Sequence, residues 1–269
     1  MWTGCWRSAS QPPRSTAVIA AAGSGERLGA GGPKAFLPLG GRPMVEWSID
    51  AFRAAGVESI VVACPPGFAH GLAEHSHGLA EHSHGEAEHS HGPAEHSQGE
   101  VEDLHGEAGG LVVVDGGETR AASVSNALGA VETELVAIHD AARPFVTPEL
   151  IAGVLATLAG DPDADGAIAA APVTDTIKRA SPSGALVIEG TVDRGRLWAA
   201  QTPQAFRVEA LRGALEAEPD AIAAATDEAM LLEAAGGRVL IHESGGENLK
   251  VTTPFDLERA ERIASRRAG

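Results

Sequence analysis

Short apolar runs of strand length recur along the chain, at residues 16–20 (TAVIA), 58–63 (ESIVVA), 111–115 (LVVVD), 135–139 (LVAIH), 166–171 (GAIAAA) and 238–242 (RVLIH). Between several of them the apolar spacing becomes helical. Val45, Ile49 and Phe52 fall on one face of a helix over 43–52, and residues 120–131 (RAASVSNALGAV) and 148–158 (PELIAGVLATL) read likewise. Thr147 is placed as an N-cap, with Pro148 in the first turn. Strands alternating with helices predict an α/β fold with a mostly parallel sheet and helices on both faces. In such sheets ligands sit beyond the carboxyl ends of the strands.

Two segments break the alternation. Residues 172–198 carry PVTDTIKRA and ALVIEGTV on either side of Ser181-Pro182-Ser183-Gly184, a turn signal, and predict a β-hairpin projecting as an arm. Residues 72–99 are a repeat of period seven (LAEHSHG, LAEHSHG, EAEHSHG, PAEHSQG), followed by a degenerate copy, EVEDLHG. Each copy ends in glycine and offers too few apolar residues for a coiled coil. His-x-His spacing suits Zn, Ni or Cu; the plainer reading is a solvated insertion over 70–106. The expected organisation is a disordered tail over 1–15 and one domain over 16–265 that carries this insertion and the arm.

Composition narrows the function. With 20 basic and 37 acidic residues the net charge is −17, which argues against a nucleic-acid surface. Residues 68–110 hold nine of the acids and no Lys or Arg, so cations inside motifs elsewhere stand out. No apolar run reaches membrane-spanning length, and the first residues do not read as a signal peptide. Only Cys5 and Cys64 are present, which fits a reducing cytoplasm.

Residues 21–34, AAGSGERLGAGGPK, follow the first strand; five are glycine, and the only cations are Arg27 and Lys34. Glycines there let backbone N–H groups approach an anion. The spacing is neither a P-loop nor a dinucleotide fingerprint, so the alternatives are a phosphate cradle and an ordinary βα loop. A second glycine turn, Asp115-Gly116-Gly117-Glu118-Thr119-Arg120, leads to Ser123 and is either a base or ribose reader or a capped turn. In His139-Asp140-Ala141-Ala142-Arg143 the aspartate is placed to hold Mg²⁺ and the arginine to grip phosphate; otherwise the two form an ion pair closing a loop. Lys250 is expected to begin a short strand, and Thr253-Pro254 with Asp256 to open the last helix.

Together, AAGSGERLGAGGPKAFLPLGGRPM, DGGETRAAS, HDAARPFV, PVTDTIKRA, TVDRGRLWAAQTPQAF, ATDEAMLLEAAGG and ENLKVTTPFDL resemble the 2-C-methyl-D-erythritol 4-phosphate cytidylyltransferases, over about Thr16 to Glu261. The resemblance implies a Rossmann-like nucleotidyltransferase fold and a homodimer formed through the β-arm. It also implies transfer of CMP from CTP to methylerythritol phosphate, with release of pyrophosphate, in non-mevalonate isoprenoid synthesis. By motif position, Arg27 and Lys34 would act on the triphosphate. Ala21, Ala22 and Gly23 would lie against the nucleotide, Gly117 and Ser123 would contact the cytidine, and Asp140 would hold Mg²⁺. Arg143, Thr176, Arg194 and Lys250 would bind methylerythritol phosphate, Arg194 and Lys250 also acting in catalysis. Thr176 and Arg194 would serve the partner's site.

Two departures from the family pattern are Ala35, where glutamine is usual, and Glu228, where a second aspartate is usual; Asp227 is retained. The competing readings are a ribitol 5-phosphate cytidylyltransferase of similar fold and a metal-buffering protein led by the histidine repeat. Fusion to a later pathway enzyme is not expected, since only eight residues follow Glu261.

Overall fold

A computed structural model describes residues 14–23, 25, 28, 32–68, 72, 102–104, 110–182 and 185–267. Most of the 1–15 tail, most of the 70–106 insertion, the 183–184 turn and Arg27 lie outside the described residues.

The strands are β1 (Ser15–Ala20), β2 (Pro38–Leu39), β3 (Arg42–Pro43), β4 (Ser59–Cys64), β5 (Glu102–Leu104), β6 (Gly110–Asp115), β7 (Leu135–Asp140), β8 (Gly166–Pro172), β9 (Lys178–Ala180), β10 (Ile188–Thr191), β11 (Trp198–Arg207) and β12 (Val239–Glu243). The helices are α1 (Met44–Ala54), α2 (Arg120–Leu128), α3 (Pro148–Ala159), α4 (Val208–Ala214), α5 (Pro219–Ala224), α6 (Glu228–Ala234) and α7 (Pro254–Arg267). Eight strands form one sheet in the order β12-β8-β11-β7-β1-β4-β6-β5. β4 and β7 flank β1 in parallel, and β6 continues beyond β4. The chain therefore steps outward from β1 to β6 and returns to β7, which puts the topological switch at β1.

Alternate residues of each central strand face opposite layers. Ala17, Ile19, Ile60 and Val62 pack with α1 and α3, while Val18, Val61, Val136 and Ile138 pack with α2, α4 and α6. Burial on both faces explains why these strands read as continuous apolar runs. Thr147 caps α3 as its sequence implies, its side chain accepting from Leu150 N at 3.2 Å. A third cluster, with Leu39, Met44, Phe145, Val251, Ala260 and Ala264, seats α7 over the β2–β3 hairpin.

The six expected strands and four expected helices form, but three details differ. α2 stops at Leu128, because Gly129 and the turn after it draw the chain away. The short strand expected at Lys250 is absent; Val251 N donates to Ala142 O at 2.8 Å, one bond rather than a ladder. Strand β11 had no signal in the pattern. It lies antiparallel between β7 and β8 and buries Thr202 and Gln204, so its inward face is partly polar. The arm consists of β9 paired with β10, and its root is the Trp198–Pro172 pair.

Candidate active site

Three loops at the carboxyl ends of β1, β6 and β7 enclose a cleft of about 450 Å³. After β1, Ala21, Ala22 and Gly23 line one wall, and Gly23 O accepts from Lys34 N at 3.3 Å, which closes the loop. Lys34 also lines the cleft, and its ammonium donates to Val251 O at 2.6 Å. The β6 loop needs its glycines for close approach: a Cβ on Gly116 would stand 2.4 Å from Ala22 Cβ, and one on Gly117 2.4 Å from Ala122 Cβ. Ser123 Oγ accepts from Gly117 N at 3.0 Å and donates to Thr119 O at 2.9 Å, so this buried hydroxyl sets the shape of the turn.

Asp140 ends β7 at the base of the cleft. Its Oδ1 accepts from Arg120 Nε at 2.9 Å and its Oδ2 from Lys250 Nζ at 2.6 Å. Burial alone would raise the Asp140 carboxyl, but the charges and hydrogen bonds of Arg120 and Lys250 outweigh it and hold the pKa well below the usual carboxylate range. Arg120 Nη1 in turn donates to both oxygens of Glu228, at 2.6 and 2.5 Å. Burial pushes the Glu228 carboxyl up from its ordinary value, and Arg120 offsets part of that rise. The cations Lys34, Arg120 and Lys250 line the cleft against the carboxylates Asp140 and Glu118. This is local positive charge in a chain of net charge −17, as an anion site requires.

Behind Asp140 a buried relay fixes its backbone. Asp140 N donates to Thr202 Oγ1 at 3.1 Å, and Thr202 Oγ1 lies 3.1 Å from His139 Nδ1. His139 Nε2 lies 3.1 Å from Arg143 O, a carbonyl that only accepts, so Nε2 carries the proton and Nδ1 accepts from Thr202. Burial pushes His139 down to about 4, which keeps the ring neutral at pH 7.

Of the expected site residues, Ala21, Ala22, Gly23, Lys34, Gly117, Ser123, Asp140 and Lys250 meet at this cleft. Arg27 lies outside the described residues. Arg143 does not form the ion pair with Asp140 that the sequence left open; that carboxylate is taken by Arg120 and Lys250. Arg143 is buried instead, with Nη1 donating to Asn248 O at 2.7 Å. Thr176 and Arg194 are exposed on the arm and do not line their own chain's cleft; Arg194 Nη1 donates to Thr174 O. Sequence reasoning gave no role to Arg120 or Glu228. A cation opening a helix after a glycine turn was the available signal for Arg120, and nothing in the apolar pattern of α6 marks Glu228 as buried.

Magnesium takes one or two carboxylates and completes its shell with phosphate and water. The donor set fits that mode: Asp140 is ionised and opens on the cleft, and among the described residues no three His, Cys, Asp or Glu side chains cluster into an all-protein cage.

The sequence profile of "2-C-methyl-D-erythritol 4-phosphate cytidylyltransferase" matches residues 15–77 and 93–266. A protein of that name from Ralstonia nicotianae is 40% identical, the match covering 93% of this chain and 91% of that one. One from Cereibacter sphaeroides is 42% identical over 95% of this chain and 99% of its own. The crystal structure of a Thermus thermophilus protein of the same name superposes with a TM-score of 0.66 at 31% identity, covering 94% of this chain and 99% of that one.

Proposed function

The chain belongs to the 2-C-methyl-D-erythritol 4-phosphate cytidylyltransferase family, and on that premise we propose how its cleft performs the transfer of CMP from CTP to methylerythritol phosphate. The product is 4-diphosphocytidyl-2-C-methyl-D-erythritol, in non-mevalonate isoprenoid precursor synthesis. The observation that carries this reading is the cationic cleft built from the three glycine- and aspartate-bearing loops.

In the reaction a phosphate oxygen of methylerythritol phosphate attacks the α-phosphorus of CTP. The new O–P bond forms as the bond from the α-phosphorus to the bridging oxygen of pyrophosphate breaks. That bridging oxygen keeps the electron pair and leaves with pyrophosphate. The nucleophile is already an anion, so no residue needs to remove a proton. What the protein must do is hold two anions together and stabilise the charge that grows on the α-phosphate and the leaving group.

Gly117 and the turn held by Ser123 take the cytidine, while Ala21, Ala22 and Gly23 lie along the nucleotide. Lys34 faces the triphosphate, and by motif position Arg27 is assigned to it as well. Asp140 would hold Mg²⁺, which would supply positive charge to neutralise phosphate oxygens. Lys250, Thr176 and Arg194 take the methylerythritol phosphate, the last two from the partner's arm, and Arg143, buried behind the cleft on Asn248 O, would join them only if its guanidinium turned toward the substrate. Leu186, Val187 and Ile188 are exposed apolar residues on the arm, and this surface supports homodimerisation there. Cytoplasmic residence is proposed on the two cysteines, Cys64 being free and buried. Among the described residues no helix is long and apolar enough to cross a membrane.

Pyrophosphate release tests the assignment. With Mg²⁺ and CTP, methylerythritol phosphate should support release and ribitol 5-phosphate should not. Release with ribitol 5-phosphate alone would overturn the substrate assignment while keeping the reaction type.

A further inference from the structure

Glu228 touches neither the cleft nor any expected ligand, yet it is a carboxylate with its side chain 1% exposed. Taking such a group out of water costs several kcal/mol, and a buried ion pair seldom repays that with net stability. Its sole side-chain partner among the described residues is Arg120. Its chain position is fixed separately: Asp227 caps α6 by accepting from Met230 N at 3.0 Å and is itself held by Gln204 Nε2 at 2.8 Å.

The two cations on Asp140 are held very differently. Arg120 is gripped at both ends, Nε by Asp140 and Nη1 by Glu228. Lys250 has its side chain 44% exposed and reaches Asp140 Oδ2 by a single bond from a flexible stem. Without Glu228, Arg120 would rest on one bond to Oδ1, too little to immobilise a side chain with about 2 kcal/mol of rotamer entropy.

We propose that Glu228 is a positioning residue: by anchoring Arg120 it keeps the guanidinium on Asp140 Oδ1, so that Oδ2 is the oxygen exchanged between Lys250 and the divalent cation. This rests on the reading of Asp140 as the magnesium-holding residue. It turns the Asp140 carboxylate into a ligand of fixed orientation with one face reserved. It also makes Lys250 the cation that is released toward substrate phosphate when the metal arrives.

The test is metal binding without turnover. Mn²⁺ is titrated into full-length protein with CTP and no acceptor, and formation of the ternary complex is read from water proton relaxation. Glu228→Gln, which keeps the shape and one acceptor but loses the charge, should weaken Mn²⁺ binding by about 10-fold or more, as loss of an outer-shell partner does. Glu228→Asp should recover part of that loss. In turnover assays Glu228→Gln should raise the Mg²⁺ concentration for half-maximal activity more than it raises the KM for CTP. A purely structural role would lower the melting temperature while leaving Mn²⁺ affinity within about twofold of wild type, and that result overturns the proposal. If Glu228→Gln does not fold, the same titration on Glu228→Asp decides, with unchanged affinity counting against it. Wild-type protein that binds CTP but forms no ternary complex with Mn²⁺ overturns the magnesium reading of Asp140 itself, and this inference with it.

Discussion

Thr176 and Arg194 stand on the arm, exposed and away from the cleft their own chain forms. If they serve the reaction, they serve it across a dimer, and a mixing experiment makes that quantitative. Asp140→Asn removes the carboxylate at the base of the cleft, and Arg194→Ala removes the arm's cation. Each homodimer then carries two damaged sites, and each should lose ~10²–10³ in turnover. When the two proteins are mixed in equal amounts and allowed to exchange, about half of the dimers become mixed. In a mixed dimer one site receives both lesions and the other receives none. Recovered activity should therefore approach about a quarter of wild type. Were Arg194 to act in its own chain's cleft, both sites of the mixed dimer would stay damaged and nothing would return. Pyrophosphate release reads the activity, and native mass spectrometry confirms that subunits have exchanged. Exchange without recovery would refute the in-trans assignment. As a control, Leu186→Asp, at the most exposed of the arm's large apolar side chains among the described residues, should block both dimerisation and recovery.

Three further outcomes follow from the geometry. Gly117→Ala forces a Cβ into Ala122, whose backbone carbon would stand 3.0 Å away, and disturbs the bond to Ser123 Oγ. It should raise the KM for CTP about tenfold, with a stability loss of ~1–3 kcal/mol read by urea unfolding; an unchanged KM would exclude this turn from the nucleotide site. His139 titrates at about 4 when folded, below its ordinary value of 6.5, so the unfolded chain takes up the proton first. That contribution to stability is complete above pH ~6.5 and declines as pH falls toward 4, by about 1 kcal/mol per pH unit; a His139→Gln variant should flatten that part of the unfolding profile. Deleting residues 73–100, between buried Leu72 and strand β5, should leave turnover near wild type while abolishing retention on nickel resin. Loss of turnover would revive the metal-protein reading.

The architecture was legible where burial on both sheet faces leaves unbroken apolar runs, as in β1, β4 and β7. It was not legible in β11, where Thr202 and Gln204 face inward and hydrogen-bond to Asp140 N and Asp227. An apolar-pattern reading has no way to see a strand that is central but partly polar. For the site, glycine turns and an aspartate announced the cleft because each follows an apolar run at its carboxyl end, where a parallel sheet places its ligands. Arg120 and Glu228 are 108 residues apart, and only folding shows that they form one ion pair. Arg143 illustrates the reverse: adjacency to Asp140 suggested a pair, but the backbone turn after β7 sends its guanidinium to Asn248 O.

The histidine repeat joins the sheet at a telling place. It leaves β4 at that strand's carboxyl end and re-enters at Glu102, which pairs with Val113 two residues before β6 runs into the cleft loop. Both attachments are therefore on the rim that also holds the cleft. A nickel surface that captures this protein by its own histidines would tether it through chain that joins the fold on the same rim as the substrate entrance.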